Sequence, residues 1–188
     1  KFLPIIMFGH GRLCYFRNSF AILFSFYKSF LVTIPQVAFA FKTGFSRSQA
    51  FPDWYSALFN LLFSSLPIFS KSISDYDIPM FNNNNSPIHV MTYSEGPKDQ
   101  LFNSKKFIFW VLSGIFESLI IFFIPFINFK NKLIKFSYPV TYEFLSMIWF
   151  SSIVIFPTIK LIIFTRSFSL ITVMGYSSGL IFFIIFAY

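Results

Sequence analysis

The sequence predicts an all-α fold, a polytopic helical membrane protein with about five transmembrane helices, and three observations carry that prediction. Hydrophobic residues make up 55% of the 188-residue chain and charged residues only 12%, with a mean hydropathy of +0.66, well off the pattern of soluble domains. The 32 Phe are more large rings than the core of a water-soluble domain this size can hide. Five apolar stretches, residues 20–41, 54–70, 107–127, 140–164 and 168–188, approach the roughly 20 residues that a bilayer core of about 30 Å demands of a helix.

The elements follow in chain order. In "KFLPIIMFGHGRLCYFR" a short apolar run is followed by Gly9, Gly11, Arg12 and Arg17, so residues 1–19 are read as a cytosolic segment and not as a signal peptide. The first two apolar stretches make a transmembrane hairpin over 20–70. The second is short, and Pro67 near its end predicts a kinked or partly unwound helix covered by its neighbours. Residues 71–106 contain "DYDIP", "FNNNNSP" and "YSEGPKDQ", which is turn and loop chemistry with a low-complexity Asn run. A second hairpin spans 107–164, and 165–188 forms a short loop and a partial final span.

Orientation follows from the cations. With the N-terminus in the cytosol, that side carries Lys1, Arg12, Arg17, Lys71, Lys98, Lys105, Lys106, Lys160 and Arg166. The other carries Lys42, Arg47, Lys130, Lys132 and Lys135. The bias predicts a cytosolic N-terminus and a cytosolic 71–106 loop.

Several function classes are excluded. A single Cys14, and two His at positions 10 and 89 far apart in sequence, give neither a disulfide framework nor a metal cluster, so no metal site is expected. The net charge of +8 is scattered over several loops and not interleaved on one face, so no nucleic-acid partner is expected. No phosphate-cradling loop, nucleophile elbow or kinase signature is present, and no catalytic residue is expected in this chain.

The informative residues are the polar ones inside apolar stretches. Lys28 interrupts "ILFSFYKSFLVTIPQVAFAF"; if that span enters at Phe20, the helical rise places it roughly 12 Å below the cytosolic surface. Either its stem snorkels toward the headgroups, or it lines a polar path, because an intramembrane Lys costs about 2.5 to 3.5 kcal/mol and needs a partner or a watery groove. Glu117 falls roughly 15 Å from the same face. It is a possible intramembrane partner of Lys28 if the two helices touch; a protonated Glu bonded to a backbone carbonyl is the alternative. Asn60 needs either an interhelical hydrogen bond or a place in a polar path. Lys160, about 30 Å along its span, reads as an interfacial anchor. Asp75 and Asp77, with no third acid nearby, read as a solvated or docking loop and not as a metal or acid–base pair.

"HGRLCYFR" at 10–17, "FYKSF" at 26–30, "FAFKTGFSRSQAFPDWYSALFNLLFSSLPI" at 39–68, "SDYDI" at 74–78 and "QLFNSKKFIFWVLSGIFESLIIFFIPF" at 100–126 occur in an order that resembles the C-terminal membrane half of type IV P-type ATPases, the phospholipid flippases. There the matching words are an HGR segment, a YKN-containing fifth span, a GFSGQ-type external loop, a sixth span with WF, YN and TSLP, a DQDV cytosolic loop and an LFN to FFIP seventh span. Residues 130–188 align with the eighth and ninth spans by position and hydropathy.

The resemblance implies a fragment covering approximately the fifth to ninth spans of a ten-span membrane domain. The actuator, nucleotide-binding and phosphorylation domains, the DKTG aspartate, the fourth span and the tenth span would lie elsewhere. The chain would therefore be part of an ATP-driven phospholipid translocase acting from the exoplasmic to the cytosolic leaflet, inactive alone, with ATP and Mg2+ needed only by the full-length pump. It implies His10, Gly11 and Arg12 as the stalk, Asp75 and Asp77 as a domain-docking loop, and Lys28, Ser29 and Asn60 as the lipid path, with Ser29 replacing the family's Asn. Implied partners are a phospholipid, the bilayer, the remaining catalytic domains and a two-span accessory subunit on the external loops 42–53 and 128–140. The implied location is the plasma membrane or a Golgi or endosomal membrane. A flippase-like module fused to a guanylyl cyclase, an inactive pseudo-flippase scaffold and an ion pump are competing readings. The last is disfavoured because cation pumps place carboxylates where this chain has Lys28 and Asn60.

Overall fold

The computed structural model describes residues 10–76, 96, 98–132 and 142–187, and among them every regular element is helical. Helix α1 is Arg12–Lys42, α2 is Asp53–Leu58, a π-helical turn covers Phe59–Phe63, α3 is Ser65–Ser74, α4 is Ser104–Lys132, α5 is Tyr142–Ile163 and α6 is Leu170–Ala187. Helix is what an apolar chain must form in lipid, where no water satisfies a free amide or carbonyl. Three helices are long and apolar enough to cross a membrane, at Arg12–Lys42, Ser104–Phe129 and Tyr142–Ile163, and Leu170–Ile185 is a shorter apolar helix.

Two of the five expected spans differ from the sequence reading. The first helix begins at Arg12, not at Phe20, and its 31 residues run unbroken to Lys42, about 46 Å at the helical rise. That exceeds the bilayer core, so the basic N-terminal end projects beyond it as one rod with the span. The second span is broken, but ahead of Pro67: the break is the π turn, closed by a bond from the Ser64 amide to the Phe59 carbonyl at 3.0 Å. Pro67 lacks an amide hydrogen, and the first turn of a helix is where none is needed. A new helix therefore starts at Ser65, and Pro67 falls in its first turn.

The helices pack as two close pairs, α1 with α4 and α3 with α6, and α5 touches all four. Small residues set both seams. A Cβ built at Gly114 of α4 would stand 3.1 Å from the Tyr27 ring and 3.3 Å from the Tyr27 carbonyl of α1. On α6, Gly175 and Gly179 face Ser70, Pro67 and the Phe63 carbonyl, a Cβ at Gly179 meeting that carbonyl at 3.2 Å. The word "GYSSG" at 175–179 is thus a small-xxx-small packing motif.

Aromatic rings fill the centre. Trp149 of α5 is fully buried, stacks on Phe122 at 5.0 Å, meets Phe39 edge-on at 5.7 Å and donates its indole N–H to the Phe122 carbonyl at 3.2 Å. Many large apolar side chains, such as Phe109, Phe116, Ile163 and Leu170, are exposed, as a surface solvated by acyl chains requires and one solvated by water does not tolerate. At the end of α1, Gly44 adopts φ +61° and the Phe45 amide donates to the Ala40 carbonyl at 2.9 Å, a glycine-dependent helix stop that turns the chain into the 43–52 loop.

Candidate functional site

Lys28 and Tyr27 are neighbours on α1, and a helix turns about 100° per residue, so they serve different faces. The Lys28 ammonium donates to the hydroxyl of Ser64 at 2.9 Å, where the π turn gives way to α3. Lys28 is half-buried, and among the described residues no carboxylate forms an ion pair with it. A cation at this depth that is held by one neutral hydroxyl retains donors for a further oxygen ligand. The π turn is what brings Ser64 into position, since π turns re-aim the residues that follow them and concentrate at functional sites.

The other face of α1 is saturated. Glu117 of α4 accepts from the Tyr27 hydroxyl, from Ser113 at 2.9 Å and from the Lys160 ammonium of α5 at 2.7 Å. Lys160 also donates to Ser113 at 2.5 Å and lies over the rings of Tyr27, at 3.7 Å, and Trp110, at 5.1 Å. The pair is largely removed from solvent, with side chains 15% and 26% exposed. The carboxylate thus finds its cation in Lys160 and not in Lys28, and Lys160, expected as an interfacial anchor, is half-buried and paired between helices. The reason is directional. Side chains lean toward the N-terminus of their helix, and α5 runs toward the end of the bundle where α1 begins, so Lys160, near the end of α5, is aimed inward. Helix α4 meets it because Glu117 lies about 20 Å from the start of α4.

Ser29 and Asn60 do not join Lys28. The Ser29 hydroxyl bonds the Ser25 carbonyl at 2.9 Å, one step of a ladder with Ser25 on Ala21 and Thr33 on Ser29, and the residue is exposed. The Asn60 amide donates to the Ser56 carbonyl at 3.2 Å and is exposed too. A polar side chain that bonds the carbonyl four residues back satisfies itself within its own helix, and Asn60 does so instead of making the expected interhelical bond.

Asp75 is no solvated loop residue. Its side chain is 2% exposed and paired with Lys71 one turn back. It accepts from the amides of Arg166 at 3.1 Å and Ser167 at 2.9 Å, and its carbonyl accepts from Arg17 of α1 at 2.9 Å. Lys71 also donates to the Phe164 carbonyl at 2.8 Å. The carboxylate ties α3 to the α5–α6 turn, and the Asp75 carbonyl ties it to α1. Asp77 lies outside the described residues. His10 and Gly11 are exposed in the turn that opens α1, and Arg12 is its first residue.

Sequence reasoning found Lys28, Glu117 and Asp75 but not their partners Ser64, Tyr27, Ser113, Lys160, Lys71 and Arg17. One signal was readable: Ser64 stands one helical turn beyond Asn60 in "FNLLFSSLP", on the side from which a polar span residue faces its neighbours.

The profile of the family described as "Phospholipid-translocating P-type ATPase C-terminal" matches residues 1–188. The chain is 37% identical over 131 residues to the human "Probable phospholipid-transporting ATPase IM", an alignment covering 70% of this chain and 11% of the relative. It is 37% identical over 126 residues to "Phospholipid-transporting ATPase IC" of Xenopus tropicalis, covering 67% and 10%. It is 33% identical over 133 residues to "Probable phospholipid-transporting ATPase 11" of Arabidopsis thaliana, covering 71% and 11%. The chain spans about a tenth of the length of the curated relatives it matches.

Proposed function

We propose that this chain, which belongs to the family of phospholipid-translocating P-type ATPases, contributes the headgroup-contacting part of the membrane domain of an ATP-driven pump that moves phospholipid from the exoplasmic to the cytosolic leaflet. The observation that carries the reading is the Lys28 ammonium, held at depth by Ser64 alone among the described residues. An intramembrane cation is expensive and is retained where it meets a polar substrate. A phospholipid offers it a phosphate, and the ammonium answers as a point charge with rotatable donors.

The division of labour follows from the helices. Helix α1 is one rod from Arg12 to Lys42, so a push or rotation applied at its basic end reaches Lys28 without a hinge. The π turn and Ser64 lie opposite, on a broken helix whose backbone has alternatives to a straight ladder. Lys28 would neutralise headgroup charge while Ser64 supplies a hydrogen bond, and Asn60, exposed one turn before Ser64, extends the path toward the exoplasmic side. Acyl tails would stay in lipid against the exposed Phe and Ile faces. ATP and Mg2+ are proposed as needs of the full-length pump, and no step through them is assigned to this chain. The accessory subunit is proposed to rest on the 42–53 loop, where Phe45 is exposed.

The test is Lys28→Ala in the full-length protein reconstituted in proteoliposomes, followed by labelled-phospholipid translocation and lipid-stimulated ATP hydrolysis. Loss of a charged hydrogen bond to the headgroup is expected to lower transport about tenfold or more. Transport at the wild-type rate would remove Lys28 from the path and the reading with it.

A further inference from the structure

Lys160, Glu117 and Tyr27 form a clamp on the side of α1 turned away from Ser64. Tyr27 is fully buried, its ring lies against Gly114 with no room for a Cβ at relaxed distance, and its hydroxyl bonds Glu117. Lys160 holds that carboxylate from α5 at 2.7 Å and covers the Tyr27 ring at 3.7 Å. Three helices therefore meet at one phenol, one residue before Lys28. We infer that Tyr27, Glu117 and Lys160 are positioning residues that fix the rotation of α1 about its own axis and so aim the Lys28 ammonium at the Ser64 side of the bundle.

The argument is geometric. Tyr27 and Lys28 are separated by about 100° around the helix, so setting the azimuth of one sets that of the other. Lys28 itself supplies little restraint, having a long flexible stem and one neutral partner among the described residues. The clamp supplies it, because a carboxylate with three donors and an ammonium boxed by two rings and a carboxylate have few alternative arrangements. A purely structural ion pair needs only two helices. Here the shared acceptor also engages the helix that carries the substrate-facing cation.

The inference rests on the reading of Lys28 as a headgroup contact, and the experiment separates the two. In the full-length reconstituted pump, Tyr27→Phe, Lys160→Met and Lys28→Ala are compared, with the doubles Tyr27→Phe/Lys28→Ala and Lys160→Met/Lys28→Ala. Tyr27→Phe removes one hydroxyl and keeps the ring on Gly114, so it folds where a larger change fails. It is expected to raise the half-saturating phospholipid concentration about fivefold, the worth of one hydrogen bond, with the maximal rate held within about twofold, and to add nothing in the Lys28→Ala background because it acts through that residue. An unchanged half-saturation in Tyr27→Phe and Lys160→Met, with Lys28→Ala impaired, overturns the positioning role and leaves the lipid-path reading standing. Full additivity with Lys28→Ala does the same. Unimpaired Lys28→Ala overturns both.

Discussion

The two faces of α1 hold the same kinds of group and treat them differently. On one face Glu117, Lys160, Tyr27 and Ser113 satisfy one another across three helices; on the other, Lys28 meets one hydroxyl at the edge of a π turn. The saturated face is costly to disturb because each member leaves a stranded partner in low dielectric. The sparse face is cheap to disturb and open to a further ligand. Both faces carry charge; what distinguishes the Lys28 face is incomplete satisfaction beside an irregular backbone.

The largest effect expected from breaking this contrast is on the saturated face. Glu117→Ala, which strands the Lys160 ammonium, is expected to cost about 3 kcal/mol of stability, read as a lowered unfolding midpoint of the full-length protein in detergent. Glu117→Gln with Lys160→Met, which removes both charges, is expected to recover most of that loss. No recovery would mean that the pair is not the unit.

The seam behind the sparse face comes next. A Cβ at Gly175 would collide with the Ser70 side chain, which is short and cannot swing away, so Gly175→Ala is expected to destabilise by about 1 to 3 kcal/mol through overpacking. Gly11→Ala, with nothing within 4 Å of its Cβ and a helical φ of −60°, serves as the control and should not lower the midpoint. A Gly175→Ala midpoint equal to wild type would show that α6 shifts freely, and that α3 is not held where Ser64 needs it.

Smaller effects sharpen the comparison from the sparse side. Ser64→Ala is expected to lower stability by about 1 kcal/mol or less, since it deletes one hydrogen bond to a half-buried cation, while raising the half-saturating lipid concentration in transport assays. Asn60→Ala removes a bond to its own helix and should change stability by no more than about 0.5 kcal/mol. A large transport defect in Asn60→Ala with normal stability would place it in the path; normal transport would confine the polar rung to Lys28 and Ser64.

Much of the site was half-visible in the sequence. Lys28 and Glu117 stand out because any ionisable residue in an apolar run must be explained. Lys160 stands out equally, yet position along the span did not reveal its partner Glu117, because the lean of the side chain was left out. Asp75 looked like loop chemistry because its donors at Arg166 and Ser167 are 91 and 92 residues away. The π turn carries no periodicity signal of its own; Pro67 predicted an irregular second span, and the irregularity lies ahead of it at Phe59–Phe63.

What the sequence determined by itself is the solvent and the secondary structure: with this apolar content the chain must live in lipid, and in lipid the backbone must be helical to satisfy its own amides and carbonyls. Through its ordered words it also determined the family, whereas the start of the first helix at Arg12 and the break in the second span at Phe59–Phe63 were not legible in it. Tertiary structure alone decided which cation meets Glu117, that Ser64 is the partner of Lys28, and that Asp75 is buried. Helix formation is a local requirement, met within a few residues of each position. Pairing depends on helix rotation, lean and stagger, which are set by side-chain contacts such as Tyr27 on Gly114 and Ser70 on Gly175 between residues far apart in the chain.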